Sequence, residues 1–181
     1  VAVLPSGGSE GAELEALLAA EHVTYRAVRV TGSIRVNISL TEPDGTATKI
    51  NALGPTLSDE ESDRLLSAVV DASGDAVWVL GSGSLPRGVG ETFYARLGEA
   101  ARQCGARFAL DSSGGPLLAG LRARPDVIKP NAEELAQAVG RPLATFGDTV
   151  AAARDLGQLG AATIVVSMGS DGALLVDEDG V

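Results

Sequence analysis

A cation, a proline, an amide and two carboxylates stand together at residues 129–134, within the stretch VIKPNAEEL. A short apolar strand is predicted to end at Lys129, and a helix is predicted to begin at Asn131. The amino end of a helix and a lysine side chain both favour phosphate groups. A lysine, an amide and two acids where a strand gives way to a helix therefore make this junction a candidate functional site.

A second candidate pair, Arg35 and Asn37, lies in the stretch GSIRVNISL. The pattern predicts a strand, on which residues two apart point to the same face. The planar guanidinium fork matches phosphate oxygens, so the pair is a candidate anion clamp. A solvent-exposed strand arginine beside a turn asparagine is the alternative reading.

A glycine-rich stretch, VWVLGSGSLPRG, follows a predicted strand. It nearly matches the dinucleotide fingerprint, but Pro86 stands where the third glycine is needed for close packing of helix on strand, which argues against an NAD(P) site. Backbone N–H groups at Gly83 and the hydroxyls of Ser82 and Ser84 could still hold a polar substrate at the carboxyl end of the sheet. A simple strand-to-helix turn remains the alternative.

A second glycine-rich turn, SMGSDGALLV, follows the apolar strand ATIVV. Spaced glycines allow backbone N–H groups to converge on an anion, although a hairpin turn is the commoner explanation. The chain has no Gly-Lys step and hence no Walker A motif.

Several other residues are predicted to be structural. Asp111, which ends the strand RFALD, could accept hydrogen bonds in the cleft, but it is interpreted as a cap of the following helix. His22 is interpreted as a partner of a helix C-terminus, Cys104 as a small packed residue and Trp78 as part of the core. None of the four is predicted to carry chemistry.

The composition limits the class of protein. The 181 residues include 45% hydrophobic but only 3% aromatic side chains, as is typical of helix-covered parallel sheets. The net charge of −10 lacks any basic cluster for nucleic acid or anionic lipid. The single cysteine excludes an internal disulfide, and neither a signal peptide nor a membrane span is predicted, so a cytoplasmic location is expected.

The chain contains two kinds of sequence pattern. Strands alternate with helices from Asp75 to Val176, which predicts an α/β fold with a mostly parallel sheet. Residues 23–53 alternate apolar and polar side chains and predict an antiparallel meander that acts as a lid or a subunit contact. The predicted domains are an α/β core, 1–22 and 54–181, and a β-lid, 23–53. Predicted helix caps are Ser9 for the first helix, and Ser58 with Glu61 as a capping box for the second.

Taken together and in order, the stretches IRVNISL, GSGSLPRGV, LDSSG, VIKPNAEEL and VVSMGSDGALLV resemble the ribokinase-like (PfkB) family of carbohydrate kinases, most closely its phosphofructokinase and tagatose-6-phosphate kinase branch. The resemblance implies a three-layer core with a small β-lid that is often clasped between two subunits. It implies an ATP-dependent, magnesium-dependent phosphoryl transfer to a sugar phosphate. Fructose 1-phosphate, fructose 6-phosphate and tagatose 6-phosphate are not separated by these stretches.

The resemblance also assigns residues to roles. Lys129 and Asn131 would face the nucleotide phosphates, and Glu134 would organise Mg²⁺ through water, whereas Glu133 would only favour the helix dipole. Arg35 and Asn37 would bind the sugar phosphate. Gly83 and Ser84 would line the sugar site. The nucleotide phosphates would also be wrapped by the second glycine-rich turn: Ser167, Gly169, Ser170, Asp171 and Gly172.

Two features of the family are not found in the sequence. The Gly-Gly-Lys-Gly-x-Asn segment is missing, and so is the Gly-Ala-Gly-Asp motif, whose aspartate is the family's general base. We therefore expect a kinase cut at both ends, with no catalytic base in these 181 residues and no activity of this chain alone. A binding module that keeps the sugar-phosphate and nucleotide contacts without turnover is the alternative function. An NAD(P) oxidoreductase is a weaker alternative.

Overall fold

The computed structural model describes residues 1–180. Backbone contacts divide the chain into two compact units, the first of residues 1–72 with 86–89, and the second of residues 73–85 with the chain from residue 90 onward. Among the residues described, no helix has both the length and the apolar character needed to cross a lipid bilayer.

The first unit contains a parallel strand pair, an antiparallel hairpin and two helices. Strands β1 and β2 pair in parallel through the crossover helix α1, and β3 pairs antiparallel with β4. The elements are β1 (Ala2–Ser6), α1 (Gly8–Ala20), β2 (Tyr25–Arg29), β3 (Asn37–Thr41), β4 (Ala47–Asn51) and α2 (Asp59–Ala72).

Helix α2 begins with the predicted capping box. Glu61 accepts a hydrogen bond from the backbone N–H of Ser58 at 2.9 Å, and the Ser58 hydroxyl accepts one from the Glu61 N–H at 3.2 Å. The N–H of Thr31 also donates to Glu61 at 2.6 Å. The backbone N–H groups of Ser58 and Thr31 hold the pKa of the Glu61 carboxyl below its usual value. The reciprocal cap therefore fixes where this helix starts, and the prediction is confirmed.

Two predictions for this unit are wrong. Residues 23–53 were expected to form an antiparallel meander, but β2, which lies in this stretch, pairs in parallel with β1. An edge strand with one exposed face shows the same alternation in either kind of sheet, so the pattern did not distinguish them. Ser9 is not the cap of α1, because that helix begins at Gly8 and is preceded by the extended Gly7. The division into a core, 1–22 and 54–181, and a lid, 23–53, stays a prediction.

The second unit is a five-stranded sheet in the order β5-β6-β7-β8-β9. Neighbouring strands run parallel from β5 to β8, and β9 is antiparallel to β8. Its strands are β5 (Trp78–Ser82), β6 (Arg107–Asp111), β7 (Val127–Ile128), β8 (Thr163–Ser167) and β9 (Ala173–Val176). Its helices are α3 (Phe93–Gln103), α4 (Gly114–Gly120), α5 (Ala132–Val139) and α6 (Phe146–Gln158). The mostly parallel sheet and the small antiparallel one confirm the predicted fold class.

The core of the second unit is aliphatic. Leu110, Ile128 and Ile164, from the three middle strands, are at most 1% exposed. Trp78 is not part of this core, because its side chain is 43% exposed on the edge strand β5. The guanidinium of Arg107, its neighbour across the strands, lies 5.4 Å from the centre of the indole ring. The aromatic ring therefore packs against a cation and not in the interior.

Candidate functional site

The carboxyl ends of the parallel strands in the second unit bring several predicted site residues together. β5 ends at Ser82, β6 at Asp111 and β8 at Ser167, while Lys129 directly follows β7. Ligands of open α/β sheets bind outside this edge. The edge is therefore the candidate site of the second unit.

Lys129 and Asp111 form an ion pair at this edge. The ammonium lies 3.3 Å from Asp111 Oδ1, and the two side chains are 50% and 36% exposed. The backbone N–H of Lys129 donates to the carbonyl of Leu110 at 3.1 Å, which fixes the lysine beside the end of β6. Asp111 is not the cap of α4, as was expected, because Ser113 occupies the N-cap position. A half-exposed pair of this kind can exchange partners with an incoming anion.

The start of α5 is a second capping box. The Asn131 side-chain oxygen accepts from the N–H of Glu134 at 2.8 Å, and Glu134 accepts from the N–H of Asn131 at 2.9 Å. Glu133, the neighbouring acid, instead contacts the Gln137 amide at 3.5 Å. The sequence analysis assigned different roles to Glu133 and Glu134, and in the structure their side chains have different hydrogen-bond partners. The capping bonds of Asn131 and Glu134 were not predicted, although the spacing of three residues matches the capping-box pattern.

The turn between β8 and β9 lies directly beside this cap. Asn131 and Ser167 form a parallel bridge, and the N–H of Ser167 donates to the Pro130 carbonyl at 3.0 Å. The turn, residues 168–172, is closed by the Met168 N–H, which donates to the Gly172 carbonyl at 2.9 Å. Gly169 and Gly172 have φ values of 61° and 93°, and no atom lies within 4 Å of where a β-carbon would be. The turn is open, glycine-dependent and adjacent to the amino end of α5.

Gly83 occupies the start of the loop after β5. Its N–H donates to the Asp111 carbonyl at 2.8 Å, and its own carbonyl accepts from the hydroxyls of Tyr94 at 2.8 Å and Ser112 at 3.1 Å. Its φ of 94° requires glycine. Ser84, the next predicted sugar-site residue, is exposed. Sequence reasoning missed Tyr94 and Ser112, since a tyrosine in an amphipathic helix gives no signal beyond core packing.

Tyr94 anchors the Gly83 loop from a buried position. Its side chain is 5% exposed. Burial, with a smaller contribution from the negative charge of Asp111, raises the pKa of Tyr94 to about 12. The phenol therefore keeps its proton and remains a donor to Gly83 at any physiological pH.

Arg35 and Asn37 belong to the first unit. The prediction that one strand carries both is wrong, because β3 begins at Asn37 and Arg35 precedes it in a loop. The aliphatic part of the Arg35 side chain runs about 4 Å from the position of a β-carbon built on Gly54. Asn37 is exposed opposite Asn51 on β4. Both side chains are on the surface of the first unit, and their roles stay predictions.

The donors at the start of α5 suit Mg²⁺ only in a water-mediated mode. Among residues 1–180, no group of three or more His, Cys, Asp or Glu side chains could form a metal centre. One oxygen of Glu134 is already used by the helix cap. Because Mg²⁺ commonly binds through one or two carboxylates, waters and substrate phosphates, a single partly committed carboxylate fits that mode.

A parallel sheet with glycine-dependent turns and a lysine at its carboxyl edge is an arrangement at which open α/β sheets bind ligands. The family model for the pfkB family carbohydrate kinases matches residues 1–181, and the chain belongs to this family. The family assignment gives no support to the alternative of an NAD(P) oxidoreductase.

Characterised relatives include phosphofructokinases of two kinds. The chain is 38% identical over 179 residues to a 1-phosphofructokinase of Rhodobacter capsulatus, covering 97% of this chain and 57% of the relative. It is 36% identical over 177 residues to an ATP-dependent 6-phosphofructokinase isozyme 2 of Mycobacterium tuberculosis, covering 96% of this chain and 52% of the relative. The chain thus spans little more than half the length of these relatives.

Solved structures of sugar kinases are similar to this chain. Phosphofructokinase-2 from Escherichia coli in complex with fructose-6-phosphate superimposes with a TM-score of 0.88 and 34% identity, over 98% of this chain and 59% of that structure. Arabidopsis thaliana ribokinase, complexed with ribose and ATP, gives a TM-score of 0.68 at 19% identity, over 99% of this chain and 58% of that structure, which supports the fold alone. The predicted ribokinase-like fold is confirmed.

Proposed function

We propose that this chain is part of an ATP-dependent kinase that transfers a phosphoryl group to a hydroxyl of a ketohexose phosphate, in the manner of a 1-phosphofructokinase. The observation that carries the proposal is the bridge between Asn131 and Ser167. It joins the amino end of α5, the half-exposed Lys129 and the open glycine turn at one edge of the sheet. Relatives at 33–38% identity named 1-phosphofructokinase support the substrate class.

The nucleotide phosphates bind at the amino end of α5. Lys129 turns from Asp111 to a phosphate oxygen, and the amino end of the helix adds its positive partial charge. Asn131 contributes its amide, and the turn of Ser167, Gly169, Ser170, Asp171 and Gly172 encloses the phosphates. The N–H groups of Ser167, Asp171 and Gly172 already donate to backbone carbonyls, so the N–H groups of Gly169 and Ser170 are the ones proposed to contact the phosphates. Glu134 would hold Mg²⁺ through water, and the ion would supply positive charge to the phosphates.

Each residue assigned to the sugar phosphate lies in one unit or the other, and these roles rest on the resemblance to the family. Arg35 holds its phosphate by a charge-assisted fork, and Asn37 contributes a polar contact. Gly83 and Ser84 contact the sugar at the end of β5, in a loop whose position Tyr94 fixes. No general base is assigned within these residues, because the Gly-Ala-Gly-Asp motif of the family does not occur in the sequence.

The hairpin β3–β4 is proposed as the contact in a homodimer. Its apolar side chains Ile38, Leu40 and Ile50 are 49%, 55% and 51% exposed. Ile38 and Ile50 face each other across the hairpin. A two-stranded sheet with one uncovered apolar face gains stability when a second copy covers that face.

A non-catalytic binding module is the second candidate. Such a module would bind ATP and a sugar phosphate without turnover.

The test is to measure ADP release from the protein encoded by the complete reading frame. The substrates are fructose 1-phosphate, fructose 6-phosphate and tagatose 6-phosphate. Sugar-dependent ADP release with one of the three supports the kinase. Binding of Mg·ATP without release for any of them would support the binding module instead.

A further inference from the structure

The amino edge of the second unit's sheet contains a pocket lined by three arginines. The pocket, about 530 Å³ in volume, is formed where α3 ends, β6 begins and the chain approaches β7. Arg102 comes from the last turn of α3, Arg107 from the start of β6, and Arg124 from the turn before β7. Volumes of 300–1,000 Å³ are typical of small-molecule sites.

The charge of this pocket is opposite to that of the chain. The chain has a net charge of −10, whereas the pocket contains three arginines and one acid, Asp126. The Asp126 carboxylate already accepts a hydrogen bond from the N–H of Phe108 at 2.8 Å. Among the residues described, none of the three arginines forms an ion pair with a carboxylate. Three arginines against one carboxylate therefore leave the lining of this pocket with an excess of positive charge.

The guanidinium groups are held in place by uncharged partners. Arg102 donates to the carbonyl of Ala123. Arg107 lies over the ring of Trp78 at 5.4 Å. The Arg124 backbone is left-handed, with φ 50° and ψ 64°, a conformation that is unfavourable for a residue with a β-carbon. Holding a strained arginine where glycine would be easier suggests that its side chain has a use.

The pocket is distinct from the candidate nucleotide site. Arg107 starts β6 and Asp111 ends it, so the two lie about 13 Å apart at the ordinary rise of a strand. Arg107 is at the amino edge of the sheet, whereas Lys129 and the glycine turn are at the carboxyl edge.

We propose that the pocket of Arg102, Arg107 and Arg124 is a second binding site, for a small metabolite that carries a phosphate or pyrophosphate group. Arginine forks match phosphate oxygens in bidentate geometry, and each guanidinium keeps donors beyond those that hold it. The site does not depend on the proposed kinase activity, because it uses none of its residues.

Trp78 provides a local reporter. It is the only tryptophan of the chain, and it packs against Arg107. Pyrophosphate titrated into the purified chain is expected to change its fluorescence saturably. Parallel titrations with adenosine monophosphate and with fructose 6-phosphate show whether the phosphate belongs to a nucleotide or to a sugar. A dissociation constant for either of them that is lower than the constant for pyrophosphate supports the site.

Arg124→Gly is the decisive variant. Glycine relieves the left-handed backbone, so the melting temperature should not fall, while the dissociation constant for pyrophosphate rises about tenfold or more. Arg122→Gln removes a nearby exposed arginine that does not line the pocket and should change the constant by less than about twofold. Lys129→Gln should leave the fluorescence titration unchanged.

Three results would overturn the proposal. The first is the lack of a saturable response in the parent chain. The second is an equal loss in Arg124→Gly and Arg122→Gln, which would show diffuse attraction. The third is loss of the response in Lys129→Gln, which would place the bound anion at the carboxyl edge.

Discussion

The ammonium of Lys129 lies 3.3 Å from Oδ1 of Asp111, where two neighbouring parallel strands end. Each of these side chains is at least a third exposed, so the pair contributes at most about 1 kcal/mol to stability. Its larger effect is on nucleotide binding. Asp111 pairs with the ammonium of Lys129, which is the group proposed to contact the nucleotide phosphates.

Asp111→Asn is expected to tighten the binding of metal-free ATP by the purified chain. The substitution removes a competing and repelling charge from beside Lys129, so the dissociation constant should fall a few-fold. Lys129→Gln should raise it instead. Isothermal titration of both variants and of the double variant measures the coupling. Weaker binding of metal-free ATP by Asp111→Asn would show that the aspartate supports the site in another way.

Glu134→Gln should raise the Mg²⁺ concentration needed for half-maximal activity, whereas Glu133→Gln should leave it unchanged. Glutamine at position 134 keeps the side-chain oxygen that caps α5, so the free energy of unfolding should change by less than about 0.5 kcal/mol. A shift in the Mg²⁺ titration then reports the lost charge and not a damaged helix. The assay uses the protein from the complete reading frame, and equal shifts in both variants would contradict the assignment.

The sequence predicted the helix ends best where the signal is local. The prediction of Ser58 with Glu61 depends on residues three apart and is observed. The helix predicted from Asn131 is also observed, and begins at Ala132. Pairing between distant strands has no such local signal. β2 shows the alternation of an edge strand, and its partner β1 could not be identified from that pattern.

The site was predicted less completely than the fold. The strand-end position of Asp111 was read correctly, but its partner Lys129 comes from another strand, and only the sheet order brings the two together. Trp78 was placed in the core because aromatic strand residues usually are buried. The edge position of β5 and the stacked Arg107 reverse that expectation.

Tyr94 should make stability fall between pH 10 and about 12. Its pKa in the folded chain is raised from 10 to about 12, so the folded state favours the protonated phenol. The stabilisation is complete below pH 10 and is lost as pH rises toward the folded pKa, by about 1.4 kcal/mol per pH unit within that window. Denaturant unfolding at several pH values measures it. Tyr94→Phe should lack this slope, and Tyr25→Phe, at the other tyrosine, should keep it.

Arg35→Ala should raise the KM for the sugar phosphate in the protein from the complete reading frame. Loss of a charge-assisted phosphate contact is worth about 1.5–3 kcal/mol, or roughly 10- to 150-fold. Lys49→Ala removes an exposed cation of the hairpin β3–β4 and serves as the control. An unchanged KM in Arg35→Ala, or an equal rise in both variants, would remove Arg35 from the site.

The 181-residue chain alone is expected to show no sugar-dependent ADP release above background. Lys129, Asn131 and Glu134 can position part of Mg·ATP, but phosphoryl transfer also needs a base that takes the proton of the attacking hydroxyl. Asp111 is the substitute to test, since it is a half-exposed carboxylate at the correct edge of the sheet, yet its charge is directed to Lys129. A coupled assay of the purified chain with the three ketohexose phosphates provides the measurement. Turnover that Asp111→Asn abolishes would show that Asp111 is the base.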